Sequence, residues 1–299
     1  MAATSTSTTV DLSRLPAPIF VEQKPFDTIM AEMVARVQAL MPGFDATIDS
    51  DPAMIVLQVA AYREMLIRAA FQDGAKQLTV AYASGARLDH LGALVGVARL
   101  VVTAADAASA TPAVLEDDET FRQRIVLAPE GFSVAGPELA YVKHAKDASA
   151  DVADASATSP APGEVLVSIL SATGDGTASP ALTAAVAAIV TDPAIRPMGD
   201  LVDVRSATIL PFGLAASLVT FAGPDITLVL AAARAKLDAY LAFNRRLGRD
   251  ITTSGIIAAL TVEGVHKVTL ITPSADIACD LTEAAHCTAI SVTHDGYAS

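Results

Sequence analysis

The side chains best suited to acid–base, nucleophilic or metal chemistry in this sequence are five histidines, two cysteines and a few serines and acids set in glycine-rich stretches. Asp89-His90 lies in "AYASGARLDHLGALVGVARL" (81–100), a stretch in which an acid directly adjoins a histidine. Neighbours on a helix point about 100° apart, so this pair does not face as a general base and its orienting carboxylate must. His90, His144, His266, His286 and His294 form no i, i+4 pair and no H-E-x-x-H, which leaves metal binding without support. "GFSVAG" (131–136) has one residue too many for the G-x-S-x-G nucleophile elbow, so Ser133 reads as a helix cap. "GDG" (174–176) lacks the further acidic ligands of a calcium loop and reads as a turn. Cys279 and Cys287 are too few for a disulfide framework and match no zinc spacing, which fits a reducing compartment. No catalytic, metal or cofactor-binding set is therefore assembled.

The elements that would position a site are legible from composition and periodicity. With 52% hydrophobic and only 18% charged residues, much of the apolar part alanine, the chain offers small close-packing surfaces, and its length suits one large or several small domains. A net charge of -13 opposes binding to nucleic acid or to anionic lipid. Arg245, Arg246 and Arg249 sit near an expected helix end, where cations suit the helix dipole. "SATILPFGLAASLVTFAGP" (206–224) has 19 residues without a charge, but Pro211, Gly213 and Gly223 favour two short buried strands meeting at a bend over a membrane helix. "MAATSTSTTVDL" has no secretory pattern and reads as a flexible arm.

Phe26, Ile29, Met30, Met33, Val34, Val37 and Leu40 form one helical stripe, closed by "MPGF". Asp51 and Pro52 start a second helix expected to reach about Ala83, with Ser84-Gly85 as its stop. Ile55, Val59, Tyr62 and Leu66 form one of its faces, and Met54, Leu57, Ala61 and Met65 another. A helix apolar on two sides is covered twice, and over about 48 Å of length one of the two covers is expected from another chain. Leu88, Leu91, Leu94 and Val95 continue a short helix folded back on the long one, and Gly92 and Gly96 permit close backbone approach.

Beyond residue 101 helices are expected in "DDETFRQRIV", "GPELAYVKHAKDA", near 180–190, and over 225–243 and 253–261. Strands are expected in "DVADASAT", "GEVLVSIL", "DLVDVRSATI", "FGLAASLVTF", "HKVTLI" and "CTAISVT". The class is α+β: an N-terminal helical bundle region followed by two small mixed α/β domains. The boundaries are a 1–24 arm, 25–100 helical, 101–211 middle domain and 212–299 C-terminal domain. "RPMGD" and "RRLGRD" after helices are compatible with an internal duplication and equally with a shared element order.

Read together and in order, "LPAP", "SDPAMIVLQVAAYREMLIR", "AYASGARLDHLGALVGVARL", "LAPEGFSVAGPELAYVKHA", "SPAPGEVLVSILSATGDGT", "RPMGDLVDV", "LGRDITTSGIIAAL" and "EGVHKVTL" resemble the baseplate J-like family of contractile-tailed bacteriophages. The resemblance runs from about Leu15 to Val292. It implies a structural wedge component of the tail baseplate, in the virion and, during assembly, in the host cytoplasm. The implied partners are a second copy of the chain, a tail protein I-like wedge protein, the sheath-initiating wedge protein and the central hub and spike region. The helical region, a wedge core, would join an intertwined bundle, with Met54, Leu57, Ala61, Met65, Leu88, Leu91, Leu94 and Val95 as packing or partner-interface residues and His90 as a bystander. The C-terminal domain would link wedges into a ring whose rearrangement on host contact triggers sheath contraction. The same resemblance covers phage-derived contractile devices such as tailocins.

Two other classes carry different expectations. A hydrolase using His90 or Ser133 with a nearby carboxylate shows turnover that His90→Ala or Ser133→Ala abolishes. A tail-fibre or adhesin-like module shows repeats and aromatic recognition loops, and five Tyr, nine Phe and no Trp speak against a carbohydrate platform.

Overall fold

The structure, a computed structural model, describes residues 12, 15–45, 48–106, 111–132, 136–223 and 225–298. These fall into two compact units, one within 10–98 and 118–125, the other within 99–117 and 126–299. The expected α+β class holds.

The first unit is helical. Helix α1 (Phe26–Leu40) follows Pro25. Helix α2 (Pro52–Lys76) is capped by Asp51, whose carboxylate accepts from the Ala53 N–H at 2.8 Å, with Pro52 at the first helical position as expected. It ends at Lys76 rather than near Ala83. Residues 77–84 continue as turns: the Leu78 and Thr79 N–H groups donate to the carbonyls of Ala75 and Lys76, the Gln77 amide accepts from the Ser84 N–H at 3.0 Å, and the Arg122 guanidinium donates to the carbonyls of Val80 and Ala83 at 2.8 and 2.9 Å. Gly85 is accordingly not a C-terminal stop. It sits at φ +55°, a region that favours glycine, and immediately precedes α3 (Ala86–Leu94). Residues 118–125 of α4 (Asp118–Leu127) complete the unit.

The second unit opens with a short antiparallel pair that the sequence pattern did not reveal, β1 (Val101–Thr103) and β2 (Val114–Leu115). Then come α5 (Glu138–Ala148), β3 (Val152–Thr158), β4 (Glu164–Ser171), α6 (Pro180–Val190) and β5 (Leu201–Ser206). Sheet order is β3-β4-β5, antiparallel then parallel. The parallel step needs a crossover, which α6 supplies. The core joins Val167 and Ile169 of β4 to Tyr141 and Ala145 of α5 and to Val186 and Val190 of α6.

The rest of the unit consists of β6 (Thr208–Thr220), α7 (Ile226–Asn244), α8 (Thr253–Leu260), β7 (Val265–Thr272) and β8 (Glu283–Tyr297), in the order β7-β6-β8. Leu214, Ala216 and Leu218 face Val229 and Leu237 of α7 and Ile256 and Leu260 of α8 in one core. The expected pair of strands with a bend is instead the single strand β6, with a register shift between Phe212 and Gly213. Pro211 is tolerated because β7 joins β6 only from Ala215 onwards, so its missing N–H lies where β6 pairs with β8 alone. Both sheets have a central strand with one parallel and one antiparallel neighbour. The next strand along the chain is parallel after α6 but antiparallel after α8, so connectivity lends no support to a duplication.

These two halves are tied at the C-terminal ends of β4 and β5. Leu170, Ala207, Leu247 and Ala284 share a small core. Asp154 pairs with Lys146 at 2.9 Å through one oxygen and accepts the Leu247 N–H at 3.1 Å through the other. Ser156 donates its hydroxyl to the Leu281 carbonyl.

Candidate assembly interface

The residues with chemical potential are scattered. His90 is exposed on α3. His144 is half-buried on α5, where burial and then the Lys143 ammonium hold its pKa below the ordinary imidazole range. His266 packs edge-on against Phe221 with ring centres 5.1 Å apart, and His294 lies 3.2 Å from the Thr220 hydroxyl. Among the described residues no three His, Cys, Asp or Glu groups gather as metal ligands, and no helix is long and apolar enough to cross a membrane. Ser133 lies outside the described residues. The "GDG" turn is architectural: Asp175 accepts the Thr177 N–H at 2.9 Å, and the Gly174 carbonyl accepts from Arg245 at 2.7 Å. Burial pushes the Cys279 thiol up to about 11, with the Asp250 and Glu283 carboxylates adding to the shift.

What the first unit builds instead is an apolar surface. Of the two stripes on α2, which packs with α1, Met54 and Ala61 are buried and Leu57 and Met65 half-buried, and Ile29 of α1 is buried too. The other stripe is open. Ile55, Val56, Val59, Tyr62, Leu66, Ile67 and Phe71 are all exposed, Val59 to 60% and Phe71 to 62%. In the short helix Leu88 is buried and Leu91 and Val95 half-buried, whereas Leu94 is 81% exposed. Gly92 meets Phe121 of α4, where an added Cβ would lie 2.5 Å from the ring and 2.9 Å from the Val97 carbonyl oxygen. Gly96, at φ +73° with open space around it, ends the helix rather than permitting close approach.

Residues 15–24 form an extended strap along α2, held by side chains that periodicity does not single out. The buried Gln72 amide donates to the Pro18 carbonyl at 2.7 Å and accepts the N–H groups of Phe20 and Val21 at 2.8 and 3.0 Å. Tyr82 donates to the Leu15 carbonyl at 2.7 Å, and Arg68 donates to the Glu22 carbonyl at 3.2 Å. Beside the strap lies an open groove of about 320 Å³, lined by Val21, Ile67 and Phe71 and by the Glu64–Arg68 pair. Gln72 is one of several polar residues in α2, and nothing in the sequence sets it apart from Gln58, Glu64 or Arg68. Its partner, an extended backbone, leaves no pattern.

The Baseplate J-like N-terminal domain matches residues 49–106, the Baseplate J-like central domain 133–206 and the Baseplate J-like protein C-terminal domain 214–293. Baseplate protein J of Escherichia phage P2 is 41% identical over 296 residues, covering 96% of this chain and 98% of that protein. The chain belongs to the baseplate J-like family.

Proposed function

We propose that this chain is a structural component of a phage tail baseplate wedge, located in the tail of the virion after assembly in the host cytoplasm. It pairs with a second copy and a tail protein I-like partner, meets the sheath-initiating wedge protein, and links wedges into a ring around the hub, so that host contact triggers contraction. In this reading 25–100 is the wedge core, 101–211 the middle domain and 212–299 the linking domain, and the chain contributes packing surfaces rather than catalysis.

The observation that carries the reading is the open stripe of α2. Seven large apolar side chains over about five turns make a patch of the kind that marks an interaction site. Met54, Leu57, Ala61, Met65, Leu88, Leu91 and Val95 would stiffen the bundle from inside, and Leu94 would join the exposed set. Family membership supports the same role.

The test is a paired substitution, Val59→Glu with Ile67→Glu. Both residues are exposed, so the chain's own stability should change by less than about 0.5 kcal/mol. Charges placed in a desolvated helix–helix contact should abolish co-purification with the tail protein I-like partner. A variant that assembles like the parent would remove α2 from the interface.

A further inference from the structure

The tip of α7 carries an arrangement that the packing of this chain does not use. Phe243 is 54% exposed, and two guanidinium groups lie over its ring, Arg249 at 4.5 Å and Arg246 at 5.5 Å from the centroid. Arg249 also donates to the Asn244 side chain at 3.5 Å. Among the described residues neither cation has an ion pair with a carboxylate. Arg245 is committed elsewhere, to Gly174. An aromatic face that holds two guanidinium groups in place pre-orders a cationic surface, so less side-chain freedom is lost when an anion docks.

The chain also carries the complement. Residues 101–211 contain six Lys and Arg against fifteen Asp and Glu, whereas 212–299 contain six against eight. The N-terminal ends of β4 and β5 concentrate part of that acidity around apolar groups. Glu164 starts β4 and is paired in register with Leu201, which is exposed, and Met198 just before it is fully exposed. Glu138 opens α5 close by, because an added Cβ on Gly136 would lie 2.7 Å from Pro197. Neither Glu138 nor Glu164 has an ion pair among the described residues. This acidic tip is at the opposite end of β4 from Leu170, where the small core around Leu247 ties the two halves together. Six residues of strand separate the two ends by about 20 Å, so the basic tip flanking Leu247 is out of reach of the acidic tip of its own chain.

We infer that the Phe243–Arg246–Arg249 tip docks onto the Glu138–Glu164–Met198–Leu201 tip of a second copy. The inference rests on the wedge reading and specifies the chemistry of one contact between copies. Arginine meets glutamate, and the Met198 thioether and Leu201 meet the Phe243 ring. Two different patches make this contact heterologous, the type that propagates head to tail and closes a ring when the rotation per copy allows.

The experiment is light-scattering mass of the full chain as a function of concentration and salt, for the parent, Arg246→Glu/Arg249→Glu, Glu138→Arg/Glu164→Arg and an equimolar mixture of the two variants. The parent should self-associate at low salt and weaken as salt rises. Each variant alone should associate at least tenfold more weakly, at an unchanged melting temperature, and the mixture should recover association. Phe243→Ala and Met198→Ala should each weaken it without changing charge. Parent-like association in both variants would overturn the contact, as would a parent that stays monomeric. Loss confined to the arginine variant would also overturn it, assigning the basic tip to a different acidic protein. Co-expression with the tail protein I-like partner separates this from the wedge reading. A wedge complex that forms normally with Arg246→Glu/Arg249→Glu defeats only the head-to-tail contact if that variant's self-association is undiminished, whereas failure of every chain to form it defeats the wedge reading.

Discussion

Gly92 has room for a hydrogen and nothing larger, since the Phe121 ring and the Val97 carbonyl occupy the place of a side chain. Gly92→Ala should therefore cost about 1–3 kcal/mol through overpacking, read as a lower denaturant midpoint with an unchanged slope. Gly96→Ala would act through its positive φ instead, which separates two glycines that look equivalent in the sequence. Cys279 illustrates a different residue-level effect. Its thiol rises from 9.0 to about 11 on folding, so the folded state favours the protonated form. That contribution is complete below pH 9 and is lost as pH climbs from 9 towards 11. The parent should lose more stability than Cys279→Ala between pH 8 and pH 11 in urea unfolding. Equal losses would show that the thiol stays protonated to the same extent in both states. Cys279 gave no such indication in the sequence, because its burial and the approach of Asp250, 29 residues away, are set by the fold.

At the scale of elements, α1, α4, α5, α6, α7 and α8 and the strands from β3 onward could be read from period and turn chemistry, because each buries one face against a neighbour. The departures have physical reasons. α2 stops at Lys76, and in the turns that follow it the carbonyls of Val80 and Ala83 accept from Arg122, 42 residues away from Val80. β6 stays whole because Pro211 lies outside the β7 ladder. Both depend on contacts distant in sequence, to which a local pattern is blind. The two stripes of α2 were equally legible, but which of them is buried depends on tertiary packing. The strap along α2 was read as part of a flexible arm, and in the structure it hangs on one side chain, Gln72. Gln72→Ala should release it. Because its backbone groups return to water, global stability should fall by only ~1 kcal/mol, while amide exchange at Phe20 and Val21 should accelerate by roughly tenfold or more. Unchanged exchange at those two amides would mean that Tyr82 and Arg68 suffice.

The whole molecule divides its labour between a helical unit with an exposed apolar stripe and a sheet-containing unit whose two three-stranded sheets are fastened by Asp154, Ser156 and Arg245. The Ile55–Phe71 stripe leaves apolar side chains exposed that association would bury. An exposed stripe of this kind is what the proposed wedge role requires. The most direct measurement is the solution mass, by light scattering after size exclusion, of this chain alone and co-expressed with the adjacent tail proteins. A defined complex holding more than one copy of this chain together with a tail protein I-like partner is the expected result. A stable monomer that binds none of the tail proteins would contradict the wedge role.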